Sequence, residues 1–210
     1  MNAIPYKTSF KRCWSCNSDT TNIYSIKNFP FTGRFPKKNE ESLRGDLSFS
    51  CCNSCKLIQL EQAYSPDDLY SEYYYYSSIN NTMRLHLANL VVDIANKYNT
   101  KPAGKWLDIG CNDGYTLSIA RSMGWQTFGI DPSNIVGKYY QTLFANGEFI
   151  RDIFPTNSLK KESSFDIITT ISMFYDIYNL NSFIKNIENH LENNGIWIVE
   201  MNYTKDMILN

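Results

Sequence analysis

The chain has 210 residues, with 20 lysines and arginines against 21 aspartates and glutamates, a formal net charge of −1. That balance excludes a nucleic-acid surface built on basic excess, and no acidic tract marks a disordered tail. Hydrophobic residues at 43% and charged residues at 20% are ordinary for a globular protein. No apolar run is long enough to cross a bilayer, and the opening MNAIPYKTSFKRC lacks the apolar core of a signal peptide. A cytoplasmic protein with no membrane partner is expected, long for one domain and short for two full ones.

Residues 1 to about 60 are loop-rich, with short strand-like pieces at Ile23–Ile26, Leu47–Cys51 and Lys56–Leu60. They carry two metal-spaced pairs, Cys13-x-x-Cys16 and Cys52-x-x-Cys55. Structural disulfides are rare in the cytoplasm, and two such knuckles complete one tetrahedral four-thiolate Zn²⁺ site. Four thiolates leave no open position, so a structural zinc is expected, supplying stability that so small a module cannot draw from its core. Cys51 competes with Cys52 as ligand, but only Cys52 has the right spacing to Cys55. A redox role is the weaker reading, because no thioredoxin-like βαβ unit surrounds either pair.

Residues 61 to about 104 open on turn signals at Ser65-Pro66-Asp67 and run through a tyrosine-rich segment, Leu69 to Tyr76. Helical spacing of Leu85, Leu87, Leu90, Val91 and Ile94 predicts a helix from about Asn81 to Lys97. Asn99 to Gly104 breaks it.

The next stretch, Leu107 to Gly114, decides the chemistry. Trp106 to Ile109 reads as a buried strand and Tyr115 to Met123 as an amphipathic helix, joined by a turn holding Gly110, Cys111, Asn112, Asp113 and Gly114. A strand, a glycine turn and a helix let a ligand approach bare backbone at the carboxyl edge of a sheet. Dinucleotides require G-x-G-x-x-G there, with the pyrophosphate on the helix amino terminus. Here the spacing is G-x-x-x-G, and Asp113 places a carboxylate where phosphates belong. A carboxylate repels diphosphate and attracts a sulfonium or an ammonium, so the loop favours S-adenosylmethionine. Asp131, about 20 positions on at the end of the second strand and followed by Pro132, is placed to accept both ribose hydroxyls; alone it also reads as a turn residue. Cys111 reads first as a small buried residue lining the turn.

From residue 105 strands and helices alternate. Strands are expected at Trp106–Gly110, Gln126–Asp131, Glu148–Arg151, Phe165–Ile171 and Ile196–Glu200, with Gly124 and Gly195 as helix-ending C′ residues. The order predicts an α/β fold, an open parallel Rossmann-like sheet of at least five strands with helices on both faces. Three parts follow: a zinc-binding domain over 1–60, a tyrosine-rich segment and connecting helix over 61–104, and a cofactor domain over 105–210. Such a sheet usually carries two more strands, so the chain is expected to be the amino-terminal part of a longer protein or a truncation.

The combination CWSC, CCNSCKLIQL, YYYYSSINNTMRLHL and LDIGCNDGYTL resembles bacterial deoxysugar C-methyltransferases, over nearly the whole chain. The resemblance implies a class I methyltransferase that moves a methyl group from S-adenosylmethionine to a carbon of a nucleotide-linked keto-deoxysugar. It implies cofactor contacts from the loop (Asp108 to Gly114, chiefly Gly110, Asn112 and Asp113), Asp131 and Pro132. Asp152 would lie near the adenine amino group, with Ser172 and Met173 beside the methionine moiety. It also places Tyr75 on the family's functional tyrosine.

Carbon methylation needs a base to remove a proton α to a ketone and a donor to hold the enolate oxygen. Tyr75 is the candidate donor, against a packing role among the tyrosines. Asp176 is the candidate base or sugar-orienting group, equally readable as an acidic cap before a helix starting near Asn181. It stands in Phe174-Tyr175-Asp176, where family members have a histidine, and the family's Glu-His pair lies beyond the end of this chain. His86 reads as a helix-packing residue, His190 as a solvated helix end, and Glu200 as a substrate-orienting or sheet-edge residue. A methyltransferase with an oxygen or nitrogen acceptor, and a non-catalytic zinc-ribbon module, remain the rival readings.

Overall fold

The computed structural model describes residues 7–30, 36–65, 69–70, 73–98, 103–145, 147–177 and 179–203. The turn expected at Ser65-Pro66-Asp67 falls largely outside them, as does part of the tyrosine segment. The chain divides into two compact units, one of residues 1–74 and 178–182, the other of residues 75–177 and 183–210. The division falls inside the tyrosine run, so Tyr75, Tyr76 and the following helix go with the second unit.

The first unit is antiparallel. β2 (Thr20–Pro30), β3 (Arg44–Cys52) and β4 (Ile58–Leu60) form a sheet in that order, and β1 (Lys7–Ser9) pairs with β5 (Gln62–Tyr64). The three expected strand-like pieces lie on β2, β3 and β4. Register pairs Thr20 with Cys52 and Cys51 with Ile58, which sets the second cysteine pair at the end of β3.

The second unit carries a five-stranded, wholly parallel sheet in the order β10-β9-β6-β7-β8. Its strands are β6 (Lys105–Ile109), β7 (Gln126–Ile130), β8 (Glu148–Ile150), β9 (Phe165–Ile171) and β10 (Leu191–Glu200). Its helices are α1 (Asn81–Tyr98), α2 (Tyr115–Ser122), α3 (Lys138–Leu143) and α4 (Leu180–His190). From β6 the chain winds outward through β7 to β8, then returns to β9 and β10 on the other side. The reversal between β6 and β9 is a topological switch point, where open sheets of this kind take ligands.

Side chains alternate across each strand, so β6 feeds two cores. Trp106 joins Val91, Ile94 and Ala95 of α1, Leu117 and Ala120 of α2, and Tyr140 of α3. Leu107 and Ile109 join Phe154, Leu159 and, from α4, Phe183 and Ile187. Fully burying each such side chain stabilises by about 1.5–3 kcal/mol.

Three expectations are corrected. Leu85 is 65% exposed, because the buried stripe of α1 is Leu87, Val91, Ile94 and Ala95 and Leu85 lies off it. Gly195 ends no helix: α4 stops at His190, β10 starts at once, and Gly195 sits where its register shifts between Leu191 and Ile196. His190 is buried rather than solvated, with Nδ1 2.8 Å from the Asn186 carbonyl and its ring edge-on to Phe154. Gly124 does follow α2 as expected, at φ 96°.

Candidate cofactor and metal sites

The ligand atoms of Cys13, Cys16, Cys52 and Cys55 all lie within 4.8 Å of one another. Cys13 Sγ stands 3.6 Å from Cys55 Sγ, and Cys16 Sγ 3.5 Å from Cys52 Sγ. Thiolates about 2.3 Å from one tetrahedral ion sit roughly 3.8 Å apart, so the set fits a four-sulfur metal site. The two knuckles match. Asn17 and Lys56, each four positions past the first cysteine of its pair, take φ of 59° and 66° and donate N–H groups to the Cys13 and Cys52 carbonyls. The N–H groups of Ser54 and Cys55 point at Cys52 Sγ, both at 3.4 Å. Hydrogen bonds from the Ser18 side chain and backbone lower the Cys16 thiol to about 6, toward the thiolate a metal needs. Buried Gln59 brackets the first knuckle, accepting from Trp14 N–H at 2.9 Å and donating to the Arg12 carbonyl at 3.0 Å. Cys51 stands apart, its Sγ directed at the Cys52 and Lys56 carbonyls.

In the second unit, the loop after β6 takes left-handed backbone at Gly110 (φ 76°), Asn112 (φ 52°) and Gly114 (φ 82°). A Cβ on Gly110 would fall 2.8 Å from Met173 Cγ, so a side chain is excluded there by space as well as by conformation. Asp131 is 7% exposed and ties the loop to the end of β7. Its Oδ2 accepts from Asn112 N–H at 2.9 Å, and its Oδ1 accepts from the Ser133 N–H at 2.8 Å and from the Ser133 hydroxyl. A carboxylate has about four acceptor sites, so three protein donors hold it in place and leave capacity for a ligand hydroxyl.

Asn112 and Asp113 face protein. Asn112 Nδ2 donates to the Tyr75 carbonyl at 3.0 Å, and its Oδ1 accepts from Ser77 N–H at 2.9 Å. Asp113 is fully buried; its Oδ2 accepts from Ser78 N–H and hydroxyl, and its Oδ1 from Tyr115 N–H. The expected repulsion of diphosphate by Asp113 is corrected: this carboxylate is buried and spent on fastening residues 75–78 to the loop.

Asp108 lies inside the sheet at 2% exposure. Trp106 Nε1–H donates to Thr169 Oγ1 at 3.1 Å, and the Thr169 hydroxyl donates to Asp108 Oδ1 at 2.6 Å. Burial, with the nearby Asp131 charge, pushes the Asp108 carboxyl up to about 7 against the Thr169 hydrogen bond. Cys111 is buried, and burial raises its thiol well above the ordinary range.

The methyltransferase-domain family matches residues 80–206, more than half of the chain. The chain belongs to that family. Among solved structures it is similar to the PH0226 protein from Pyrococcus horikoshii OT3, at 23% identity and a TM-score of 0.54, over 64% of this chain and 61% of that one. It is also similar to the plantazolicin methyltransferase BpumL in complex with a pentazolic desmethylPZN analog and SAH, at 20% identity and a TM-score of 0.50, over 62% of this chain and 51% of that one. The chain thus spans between half and two thirds of the length of these structures, and the likeness is one of fold. No curated protein matches it.

The methyltransferase domain sets its other candidate residues along the carboxyl edge of the sheet. Asp152 follows β8, where hydrogen bonds from the Thr156 hydroxyl and the Ile153 N–H hold its carboxyl below the usual range. Pro132 follows Asp131 and accepts from Arg151 at 3.3 Å. Ser172, at φ 52°, donates its N–H to the Glu200 carbonyl at 2.8 Å. Asp176 is exposed in a 3-10 turn, Phe174–Asp176, with its N–H on the Met173 carbonyl. Tyr75 is half-buried; burial and the Asp113 charge raise its phenol, which stays protonated at neutral pH.

Sequence reasoning missed Ser77 and Ser78, which hold the loop, and Ser133, which holds Asp131. It also missed that His86 of α1 meets Glu200 of β10. No local pattern marks partners 35 or 114 positions apart. No helix among the described residues is long and apolar enough to cross a membrane.

Proposed function

We propose that the protein is an S-adenosylmethionine-dependent methyltransferase that methylates a carbon of a nucleotide-linked keto-deoxysugar, with a structural zinc held by Cys13, Cys16, Cys52 and Cys55. The observation that carries the reading is the Asp131 carboxylate, fixed by Asn112 and Ser133 beside a left-handed glycine loop at the switch point. That arrangement suits the ribose of a nucleoside cofactor, and the spacing Gly110-x-x-x-Gly114 departs from the G-x-G-x-x-G that seats a pyrophosphate.

When bound, the cofactor supplies an electrophilic methyl group. Asp131 accepts from a ribose hydroxyl, Asp152 lies toward the adenine amino group, and Gly110, Ser172 and Met173 border the methionine part. Tyr75, kept protonated, donates a hydrogen bond to the enolate oxygen of the sugar. Asp176 orients the sugar. The acceptor is a soluble nucleotide sugar in the cytoplasm, neither nucleic acid nor lipid. The carbon-methylation part rests on the resemblance of the cysteine pairs, the tyrosine segment and the loop taken together.

The test is incubation with methyl-labelled cofactor and a panel of nucleotide keto-deoxysugars, with the product bond assigned by NMR. A new carbon–carbon bond supports the reading. Label on oxygen or nitrogen would replace it with a heteroatom methyltransferase.

A further inference from the structure

Asn112 takes a left-handed backbone, φ 52°, as Gly110 and Gly114 do on either side of it in the loop. Glycine meets that conformation without steric cost, so the asparagine side chain is there for what its amide does. Asn112 is 8% exposed. Its N–H donates to Asp131 Oδ2 at 2.9 Å, and its carbonyl accepts from Gly137 N–H at 3.0 Å. Its amide donates from Nδ2 to the Tyr75 carbonyl at 3.0 Å and accepts at Oδ1 from Ser77 N–H at 2.9 Å.

The Tyr75 carbonyl and the Ser77 N–H flank residue 76 and meet the same side chain, as they would meet a neighbouring strand. A carboxamide offers a donor and an acceptor in one plane, so it takes both at once. Aspartate lacks the donor, and glycine lacks both. The Tyr75 phenol belongs to the same neighbourhood: burial, and after it the Asp113 charge, raise it.

We propose that Asn112 is a positioning residue that carries occupancy of the ribose site at Asp131 across to Tyr75, so that cofactor binding fixes the tyrosine that meets the acceptor. The inference rests on the cofactor and Tyr75 assignments above. A ribose hydroxyl donating to Asp131 restrains the carboxylate that holds the Asn112 N–H. The amide of the same residue then holds the main chain at residues 75 and 77. By linkage, an acceptor bound against Tyr75 strengthens cofactor binding by the factor that the cofactor strengthens acceptor binding. Donor and acceptor thus favour each other's presence.

The experiment places 3-fluorotyrosine at position 75 of the zinc-loaded full chain and follows its ¹⁹F resonance while S-adenosylhomocysteine is titrated in. In the wild type the resonance is expected to shift and narrow, saturating with the affinity that calorimetry gives. Asn112→Gly keeps the left-handed backbone and the N–H to Asp131 and deletes only the amide. It is expected to bind S-adenosylhomocysteine within about threefold of the wild type, since the lost bonds do not touch the ligand, while the ¹⁹F response disappears. With any acceptor that the wild type methylates, kcat falls by roughly 5–150-fold, the usual span of coupling between sites, and KM for S-adenosylmethionine holds. A purely structural amide would lower stability and leave the ¹⁹F response in place.

Two results overturn the coupling and leave methyl transfer standing: a wild-type resonance that ignores bound S-adenosylhomocysteine, or the same response in Asn112→Gly as in the wild type. Loss of S-adenosylhomocysteine binding in Asn112→Gly also overturns it, by making the amide part of the cofactor site. Absence of S-adenosylhomocysteine binding in the wild type overturns the coupling and the methyltransferase reading together.

Discussion

The Ser78 hydroxyl donates to Asp113 Oδ2 at 2.5 Å, and the Ser78 N–H reaches the same oxygen at 3.2 Å. With Asn112 holding Tyr75 and Ser77, this contact makes the loop after β6 a fastening point for the start of α1 as well as a cofactor edge.

Asp113→Ala leaves the Ser78 and Tyr115 donors without their acceptor in a buried place. It is expected to destabilise the protein by about 1–3 kcal/mol and to weaken S-adenosylhomocysteine binding, while Ser78→Ala costs about 0.5–1.5 kcal/mol. Urea titration and calorimetry measure both effects. Wild-type stability and affinity in Asp113→Ala would remove the fastening role.

Asp108 makes stability depend on pH. Its carboxyl is raised from 3.8 to about 7 in the fold, chiefly by burial. Between those values the native state keeps a proton that the unfolded chain has lost. Stability therefore falls as pH rises through that window, by up to about 1.4 kcal/mol per unit, and levels off above it. Asp108→Asn is expected to remove this slope from urea midpoints measured between pH 5 and 8, by the sign above. Equal slopes in the two proteins would contradict it.

The four-cysteine cluster, read as a zinc site, separates two adjacent cysteines. Cys52→Ser is expected to lose bound zinc, measured by atomic emission on purified protein, and to unfold the first unit. Cys51→Ser is expected to keep the metal, because the Cys51 thiol points at carbonyls rather than into the cluster. Zinc retained in Cys52→Ser and lost in Cys51→Ser would reverse the ligand assignment.

Much of the architecture was legible because local rules agree with the global fold. The strands of the parallel sheet are short apolar runs ended by glycine, proline or polar residues, and each appears within a few residues of its expected place. β1 and β5 were not legible, since three-residue strands such as Lys7-Thr8-Ser9 are specified by distant pairing rather than by pattern. His190 was legible and misread: Phe183, Ile187 and His190 follow i, i+4, i+7 spacing, which places the histidine on the buried face despite its polar neighbours. The loop was recognised from its glycines, yet the partners of Asn112 and Asp113 come from upstream, and only the fold reveals that their side chains turn inward. The His86–Glu200 contact is the extreme case, a pair made by a helix and a strand that share no sequence signal.

The most direct measurement is calorimetric titration of the zinc-loaded chain with S-adenosylhomocysteine and, separately, with NADH. Saturable one-to-one binding of S-adenosylhomocysteine is expected, abolished or weakened by about 10–100-fold in Asp131→Ala through loss of a hydrogen bond to a charged group, with no heat from NADH. Tight binding of NADH with none of S-adenosylhomocysteine would contradict it.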